Sequence, residues 1–243
     1  NNLNEHVVNS GTASNLIQIM ATSLLSIYRD QAPNNLNEHV VNSGTASNLI
    51  QLLCSNSLTP EYLHLLQGLY ENTSLLNSLN TKDFKTVIEF KARKIELHKQ
   101  LNPSSIEAKN ADNTIKFIDN TLLKTKNANL VDSLVELISA PDICLSTKVT
   151  AACTLCHSLD PKSLSNRILE SGILPQFVQL ICSTALNSFE SKTLKNILTD
   201  ETLLPRLKSD YQSILILVNF LNKTTAQLKD INPDSIKFKT MSS

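Results

Sequence analysis

Apolar residues recur at every third or fourth position along most of the chain, which is the spacing of helices that bury one face. The segment that begins at residue 59 shows this clearly. Thr59-Pro60-Glu61 predicts a helix start, because it offers a hydroxyl cap, a proline at the first helical position and a carboxylate near the positive end of the helix dipole. The apolar residues that follow at helical spacing are Tyr62, Leu65, Leu66, Leu69 and Tyr70.

The same pattern predicts a close succession of further helices. Their predicted ranges are 81–101, 104–122, 130–139, 145–158, 161–170, 174–185, 187–199 and 209–229. The separators between them are Asn102-Pro103, Pro141, Asp160-Pro161, Gly172 and Pro205. No stretch alternates with period two for long enough to predict a strand, and only four glycines are present to make tight turns. The pattern therefore predicts an all-α fold.

Two segments repeat the same apolar pattern at a spacing of 43 residues. Residues 129–138 (NLVDSLVELI) align with residues 172–181 (GILPQFVQLI), which places Asn129 opposite Gly172. Both residue types tolerate a left-handed backbone, so we expect one at each position. Gly44 precedes Asn129 by 85 residues, close to two more units of the same length. A repeat of roughly 42 residues is typical of HEAT or armadillo helical repeats.

Residues 130–159 (LVDSLVELISAPDICLSTKVTAACTLCHSL) resemble a nearly complete armadillo repeat, with Ala151-Ala152 in the small-residue position of its third helix. Residues 167–183 (RILESGILPQFVQLICS) resemble a junction that leads through Gly172 into the next repeat. Residues 38–54 and 209–222 are similar to the family to a lesser degree. This resemblance covers roughly half of the chain and implies a right-handed α-solenoid of armadillo/HEAT-like repeats.

Three segments follow from these patterns. Residues 1–18 are identical to residues 34–51, which is typical of a recent duplication or an artefact, so we assign no function to 1–33. Residues 34–127 are expected to form divergent helical repeats, and residues 128–243 the armadillo-like repeats. Within 34–127, the stretch 82–126 carries ten basic and six acidic residues.

The resemblance also implies a site. Stacked units of this family line a concave groove with their third helices, where tryptophan and asparagine one turn apart hold an extended peptide in importin-like and catenin-like members. The equivalent positions here are Cys153 and His157 in one repeat, and Leu215 and Asn219 in another. Only Asn219 keeps the family residue, which argues against binding of nuclear localisation signals because the aromatic slots are missing. A peptide or helix of a partner protein is the occupant that we expect for this groove.

Nucleic acid is a second class of partner that the charge pattern bears on. Twenty-two basic and twenty-two acidic residues give no net charge, so no global field draws the chain to nucleic acid. A local alternative is nucleic-acid binding by the basic segment 82–99. Interspersed carboxylates at i,i+4 spacing favour a solvated helix face instead. The basic residues in question are Lys82, Lys85, Lys91, Arg93, Lys94 and Lys99.

The sequence offers little that predicts catalysis or cofactor binding. Cys153-Thr154-Leu155-Cys156-His157 has the CxxCH form of haem attachment, and the same side chains could contribute to a zinc site. Haem attachment would need an oxidising compartment, and a structural zinc site would need a fourth ligand. We therefore prefer the interpretation in which Cys156 is a core residue. The five cysteines are expected to be reduced core thiols. We therefore predict no catalytic residue, no cofactor and no metal.

These patterns predict a non-catalytic scaffold or adaptor that binds other protein subunits within a multi-subunit complex, in the cytoplasm, the nucleus or both. A ubiquitin-ligase scaffold, a chaperone or nuclear-transport cofactor and a trafficking adaptor are not separated by the sequence. The longest aliphatic run, residues 214–218, is far shorter than the ~20 residues that cross a bilayer, so no membrane contact is predicted. No small-molecule substrate is expected either.

Overall fold

A computed structural model describes residues 45–54, 60–70, 73–125, 127–183, 186, 190, 192–194 and 200–230. Every regular element within these ranges is helical, which confirms the all-α prediction for this part of the chain. The duplicated segment 1–33 and most of the predicted helix 187–199 lie outside the described residues.

Twelve helical elements are described, and most coincide with the ranges predicted from apolar spacing. They are α1 (Thr45–Leu53), α2 (Pro60–Tyr70), α3 (Thr73–Asn77), α4 (Thr81–Gln100), α5 (Ile106–Phe117), a π-helical turn (Ile118–Leu122), α6 (Ala128–Ser139), α7 (Leu145–Ser158), α8 (Pro161–Glu170), α9 (Leu174–Ile181), α10 (Leu203–Ser209) and α11 (Tyr211–Asp230).

Local capping explains why several helices begin where the sequence predicts. Pro60 and Pro161 occupy the first positions of α2 and α8, where a missing N–H costs nothing. The Ser105 hydroxyl accepts the Ala108 N–H at 3.1 Å, so Ser105 is the N-cap residue and α5 starts directly after it. The Asp160 carboxylate accepts the Ser163 N–H at 3.1 Å at the start of α8. Each of these caps uses residues adjacent in sequence.

Gly172 ends α8 in the left-handed conformation that the repeat alignment predicts, with φ at +66°. The Ile173 N–H donates to the Ile168 carbonyl at 3.2 Å, and the Gly172 N–H donates to the Leu169 carbonyl at 3.2 Å. This hydrogen-bond pair is the Schellman motif, which satisfies carbonyls left without partners at the end of a helix. Ile173 and Ile168 are both buried beside it.

The corresponding prediction for Asn129 is wrong. Among the described residues none other than glycine has a positive φ, and Asn129 lies in the first turn of α6. Its side-chain amide donates to the Leu79 carbonyl at 3.0 Å, while the Asn127 side chain caps the helix by accepting the Asn129 N–H at 2.9 Å. Asn129 is therefore held by hydrogen bonds to α6 and to the segment before α4, and no left-handed residue is needed there.

The predicted separator at Pro205 is also wrong, because Pro205 lies inside α10. Proline is tolerated at the third position of a helix, since the N–H groups of the first turn have no partner within the helix. The chain instead changes direction at Asp210, whose backbone is extended and whose carboxylate accepts the Ser213 N–H at 2.8 Å. Asp210 thus ends α10 and caps α11.

The chain divides into two compact units, one reaching to Ser158 and the other beginning at Leu159. The boundary that the sequence suggests, between residues 127 and 128, falls inside the first unit. There α4 packs against α6 and α7 as well as against α1 and α5. The charged middle segment therefore supplies the central helix of this unit, which buries Asp83, Phe84, Val87, Ile88, Phe90 and Ala92.

A polar cluster around the buried side chains of Asp83 and Tyr70 ties α1 and α2 into the first unit. The Asp83 carboxylate accepts the Ser47 hydroxyl at 2.9 Å and the Asn80 N–H at 3.0 Å, while the Asn80 side chain accepts the Asp83 N–H. The Tyr70 hydroxyl donates to the Ala46 carbonyl at 3.1 Å. Burial, and next the nearby Asp83 carboxylate, raises the pKa of Tyr70. The buried polar groups of Asp83 and Tyr70 are both hydrogen-bonded, as burial requires.

In the second unit, α9 and α10 pack against α11. Phe177 and Val178 of α9 are fully buried, and Leu203 and Leu207 of α10 complete the same apolar interior. These contacts use one side of α11, and Tyr211 and Leu221 are exposed on its other side.

Candidate partner-binding surface

Cys153 and His157, the first predicted pair, lie one turn apart on α7 in the first unit. Cys153 is half-buried and His157 is exposed. The imidazole Nδ1 of His157 lies 2.6 Å from the Cys153 carbonyl, so the protonated nitrogen donates a hydrogen bond back to its own helix. This bond turns the ring along α7.

Leu215 and Asn219, the second predicted pair, lie one turn apart on α11 in the second unit. Both are exposed, and Leu215 leaves 40% of its surface to solvent. The structure brings together the members of each pair, and the two pairs belong to different units.

Leu215 belongs to a row of exposed apolar side chains along α11. Their spacings of three, four and seven residues place them on one face of the helix. Tyr211 leaves 72% of its surface to solvent and Leu221 leaves 61%. We name this set the α11 stripe; its members are Tyr211, Ile214, Leu215, Val218 and Leu221.

The opposite face of α11 holds the helix in place. Ser213 is fully buried there, and α9 and α10 pack against this side. The Ser213 hydroxyl has no hydrogen-bond partner within the described residues. A helix anchored on one face by its neighbours presents the other face as a fixed surface, which suits recognition of a partner.

Sequence reasoning found Leu215 and Asn219 but missed the other four members of the stripe. The signal was present in the aliphatic run 214–218. Five consecutive apolar residues in a helix point in all directions, so a helix packed on one side must expose some of them.

The CxxCH motif is divided between different environments. Burial raises the pKa of the Cys156 thiol to about 12, and this half-buried side chain lies next to the exposed His157. Within the part of the chain that the structure describes, no three His, Cys, Asp or Glu side chains group as metal ligands would.

No disulfide joins any of the five cysteines, all of which are described. The prediction of five core thiols is wrong for Cys144, which is exposed, and the other four thiols are half-buried rather than fully buried.

Most basic residues of α4 that have carboxylate partners find them on other helices. Lys85 pairs with Glu136 of α6, and Lys91 pairs with Asp119 of the π-helical turn at 2.5 Å. Lys99 pairs within α4, with Glu96 at 2.9 Å. Three of the six basic residues considered for nucleic-acid binding are thus partly neutralised, and two of these pairs join helices.

A cavity of about 580 Å³ lies in the second unit beside Gly172 and Pro175. Its walls carry Glu170 and Asp210 together with Arg206, so both signs of charge are present. A smaller cavity of about 190 Å³ lies in the first unit at the end of α1.

No described helix is both long enough and apolar enough to cross a bilayer. Comparison of the chain with protein-family models, with curated proteins and with solved structures gives no match.

Proposed function

We propose that the chain is a non-catalytic helical scaffold or adaptor that binds an amphipathic helix of a partner protein along the α11 stripe. The observation that carries this proposal is the exposure of five large apolar side chains on one face of a single helix. Exposed apolar residues scattered singly are ordinary, whereas a contiguous row is typical of an interaction surface.

Burial of this row provides the driving force. Full burial of one Leu, Ile or Val side chain contributes about 1.5–3 kcal/mol, and the stripe offers five partly exposed side chains. A helix is the occupant that we propose, because side chains spaced by three, four and seven residues match the apolar seam of a second helix. Asn219 and Asn222 are exposed on α11 and supply polar groups beside this row.

An armadillo-type arrangement of the helices belongs to the same proposal. The order of α8, the left-handed Gly172 and α9 supports it, since this is the junction that the resemblance concerns. In such proteins the stacked helices act by presenting surfaces to partners, and no chemical step is required. A place in a multi-subunit complex, such as a ubiquitin ligase, would use the surface in this way.

Nucleic-acid binding by segment 82–99 has less support. Lys85, Lys91 and Lys99 have carboxylate partners, and electrostatic capture of phosphates needs cations that are not already neutralised.

A photo-crosslinking experiment tests the proposal directly. Tyr211 is replaced by p-benzoyl-phenylalanine in the full chain, which is then exposed to extract of the native source and irradiated. We expect crosslinks to a helical segment of a defined protein. Val218→Asp should abolish them, because a charge at the centre of the stripe weakens binding by about 2 kcal/mol or more.

Gln179→Asp is the matched control, since it places the same charge on an exposed position of α9 in the same unit. It should leave the crosslinks unchanged. Crosslinks that survive Val218→Asp, or crosslinks spread over many unrelated proteins, would contradict the proposal.

A further inference from the structure

Two cations of α4 differ from the paired lysines of the same helix. The Lys94 ammonium lies 5.0 Å from the centre of the Phe90 ring, and the Arg93 guanidinium lies 6.0 Å from it. Within the described part of the chain, neither cation has a carboxylate within 4.0 Å, whereas Lys85, Lys91 and Lys99 each have one. Arg93 and Lys94 therefore converge on one aromatic ring without a described ion-pair partner.

The two cations line the cavity of about 190 Å³, together with Cys54, Phe90 and Leu97. Phe90 is buried and contributes the apolar part of the wall, while Leu97 leaves 41% of its surface to solvent at the rim. A water molecule takes up ~30 Å³ in the liquid, so the cavity holds about six. That volume suits one medium-sized side chain.

The surroundings of the cavity leave it electropositive. Burial raises the pKa of the Cys54 thiol to about 12, so this group is neutral near pH 7. The carboxylate of Glu89 is near enough to contribute to that shift, and the end of α1 adds about half a negative charge. Two full positive charges exceed these two contributions. Burial, and next the charge of Arg93, lowers the pKa of Lys94, as expected for a cation that lacks a counter-ion.

We propose that this cavity binds the side-chain carboxylate of an acidic segment of a partner protein. The cations supply charge-assisted hydrogen bonds to the carboxylate oxygens, and Phe90 and Leu97 contact the methylene groups that carry it. Inorganic phosphate has the charge but no apolar stem, so it would contact the two cations without using the apolar part of the wall. This site lies in the first unit and does not depend on the α11 stripe.

The test uses the full chain and two capped six-residue peptides, one of alternating Ala and Glu and the other with Gln in place of Glu. NMR of the lysine side chains follows Lys94 during titration. We expect the Glu peptide to bind and to raise the pKa of Lys94, because a nearby anion stabilises the ammonium form. The Gln peptide, acetate and inorganic phosphate should each bind at least tenfold more weakly.

The double variant R93Q/K94Q should weaken binding of the Glu peptide by tenfold or more. The matched control is K82Q/K124Q, which removes the same net charge from two exposed positions of the first unit and should change the affinity less than threefold. Thermal melts of both variants verify that the fold is kept. Equal losses of affinity for the Glu peptide in the two variants would indicate attraction by the net charge of the chain and would overturn the proposal. A pKa of Lys94 that does not change when the Glu peptide is added would also overturn it. Phosphate that binds as tightly as the Glu peptide would show that the ligand is a simple oxyanion.

Discussion

The five cysteines of this chain have the same chemistry but are placed in different environments. Burial raises the pKa of Cys54 and of Cys156 to about 12, and it also raises the pKa of Cys182. Cys144 is the exception. It is exposed just before α7, and hydrogen bonds from the Ser146 and Thr147 side chains lower the pKa of its thiol.

We expect this difference to appear as an order of alkylation rates. The thiolate is the reactive form, and a thiol of pKa about 12 is ionised in only about one molecule in ten thousand at pH 8. Iodoacetamide should therefore modify Cys144 first and Cys54 and Cys156 last. Mass spectrometry of the digested protein measures the extent of alkylation at each cysteine over time. Since its pKa is lowered, the rate at Cys144 should rise at lower pH than that of a model cysteine peptide.

Ser146→Ala provides the control for the cause of this reactivity. It removes the hydroxyl that contributes most to the shift, so the pH profile at Cys144 should move upward toward that of the model peptide. Faster modification of Cys156 than of Cys144 in the native chain would contradict the environments described. Sequence alone could not separate these thiols, because burial depends on packing between helices distant in sequence.

Helix boundaries were the most predictable feature at the level of elements, because caps depend on neighbours in sequence. Pro60, Ser105 and Asp160 all start helices where the pattern predicts. The failures at Asn129 and Pro205 have a common origin. Each residue type permits a break in the helix without requiring one, and contacts from elsewhere decide the outcome, as the bond from Asn129 to the Leu79 carbonyl shows.

The π-helical turn and the contacts between helices were not predictable from local patterns. The π-helical turn, closed by the Leu123 N–H and the Ile118 carbonyl at 3.0 Å, has no signature in its sequence IDNTL. The carboxylate partners of Lys85 and Lys91 lie on other elements, whereas the i,i+4 rule looks only along one helix. The charged segment was consequently interpreted as a solvated face, although its helix is central to the first unit.

Two glycines allow a paired prediction about helix ends and interiors. Gly172 has a φ of +66° and Gly68 lies inside α2, and a Cβ added at either would meet no atom within 4 Å. Both positions have room for a methyl group, so the two substitutions differ in the backbone conformation of the residue that is replaced. Gly172→Ala should lower the free energy of unfolding by about 1–2 kcal/mol, because alanine disfavours the left-handed region.

Gly68→Ala should have the opposite sign and stabilise the chain by about 0.5–1 kcal/mol, since alanine restricts the unfolded chain and favours a helix. Urea denaturation of the two variants against the native chain measures both effects. A stabilising Gly172→Ala would show that the end of α8 does not require a left-handed residue, and a destabilising Gly68→Ala would contradict the prediction for the interior of α2.

At the scale of the whole molecule, a neutral chain carries an exposed apolar row. Twenty-two basic and twenty-two acidic residues cancel, and the isoelectric point is about 7.1. Net charge keeps proteins apart in solution, so its absence near neutral pH removes a barrier to association. The sequence predicts this balance from composition alone, but the position of the apolar surface depends on which side of α11 its neighbours cover.

We therefore expect solubility to be lowest near pH 7 and to rise toward pH 5 and pH 9, as measured by the polyethylene glycol concentration that precipitates half of the protein. Val218→Lys and Gln212→Lys separate the two causes, because both add one positive charge to exposed positions of α11 and only the first interrupts the stripe. At pH 7 the precipitation midpoint should rise more for Val218→Lys than for Gln212→Lys. Equal rises would assign the low solubility to net charge alone, and the α11 stripe would then have no part in self-association.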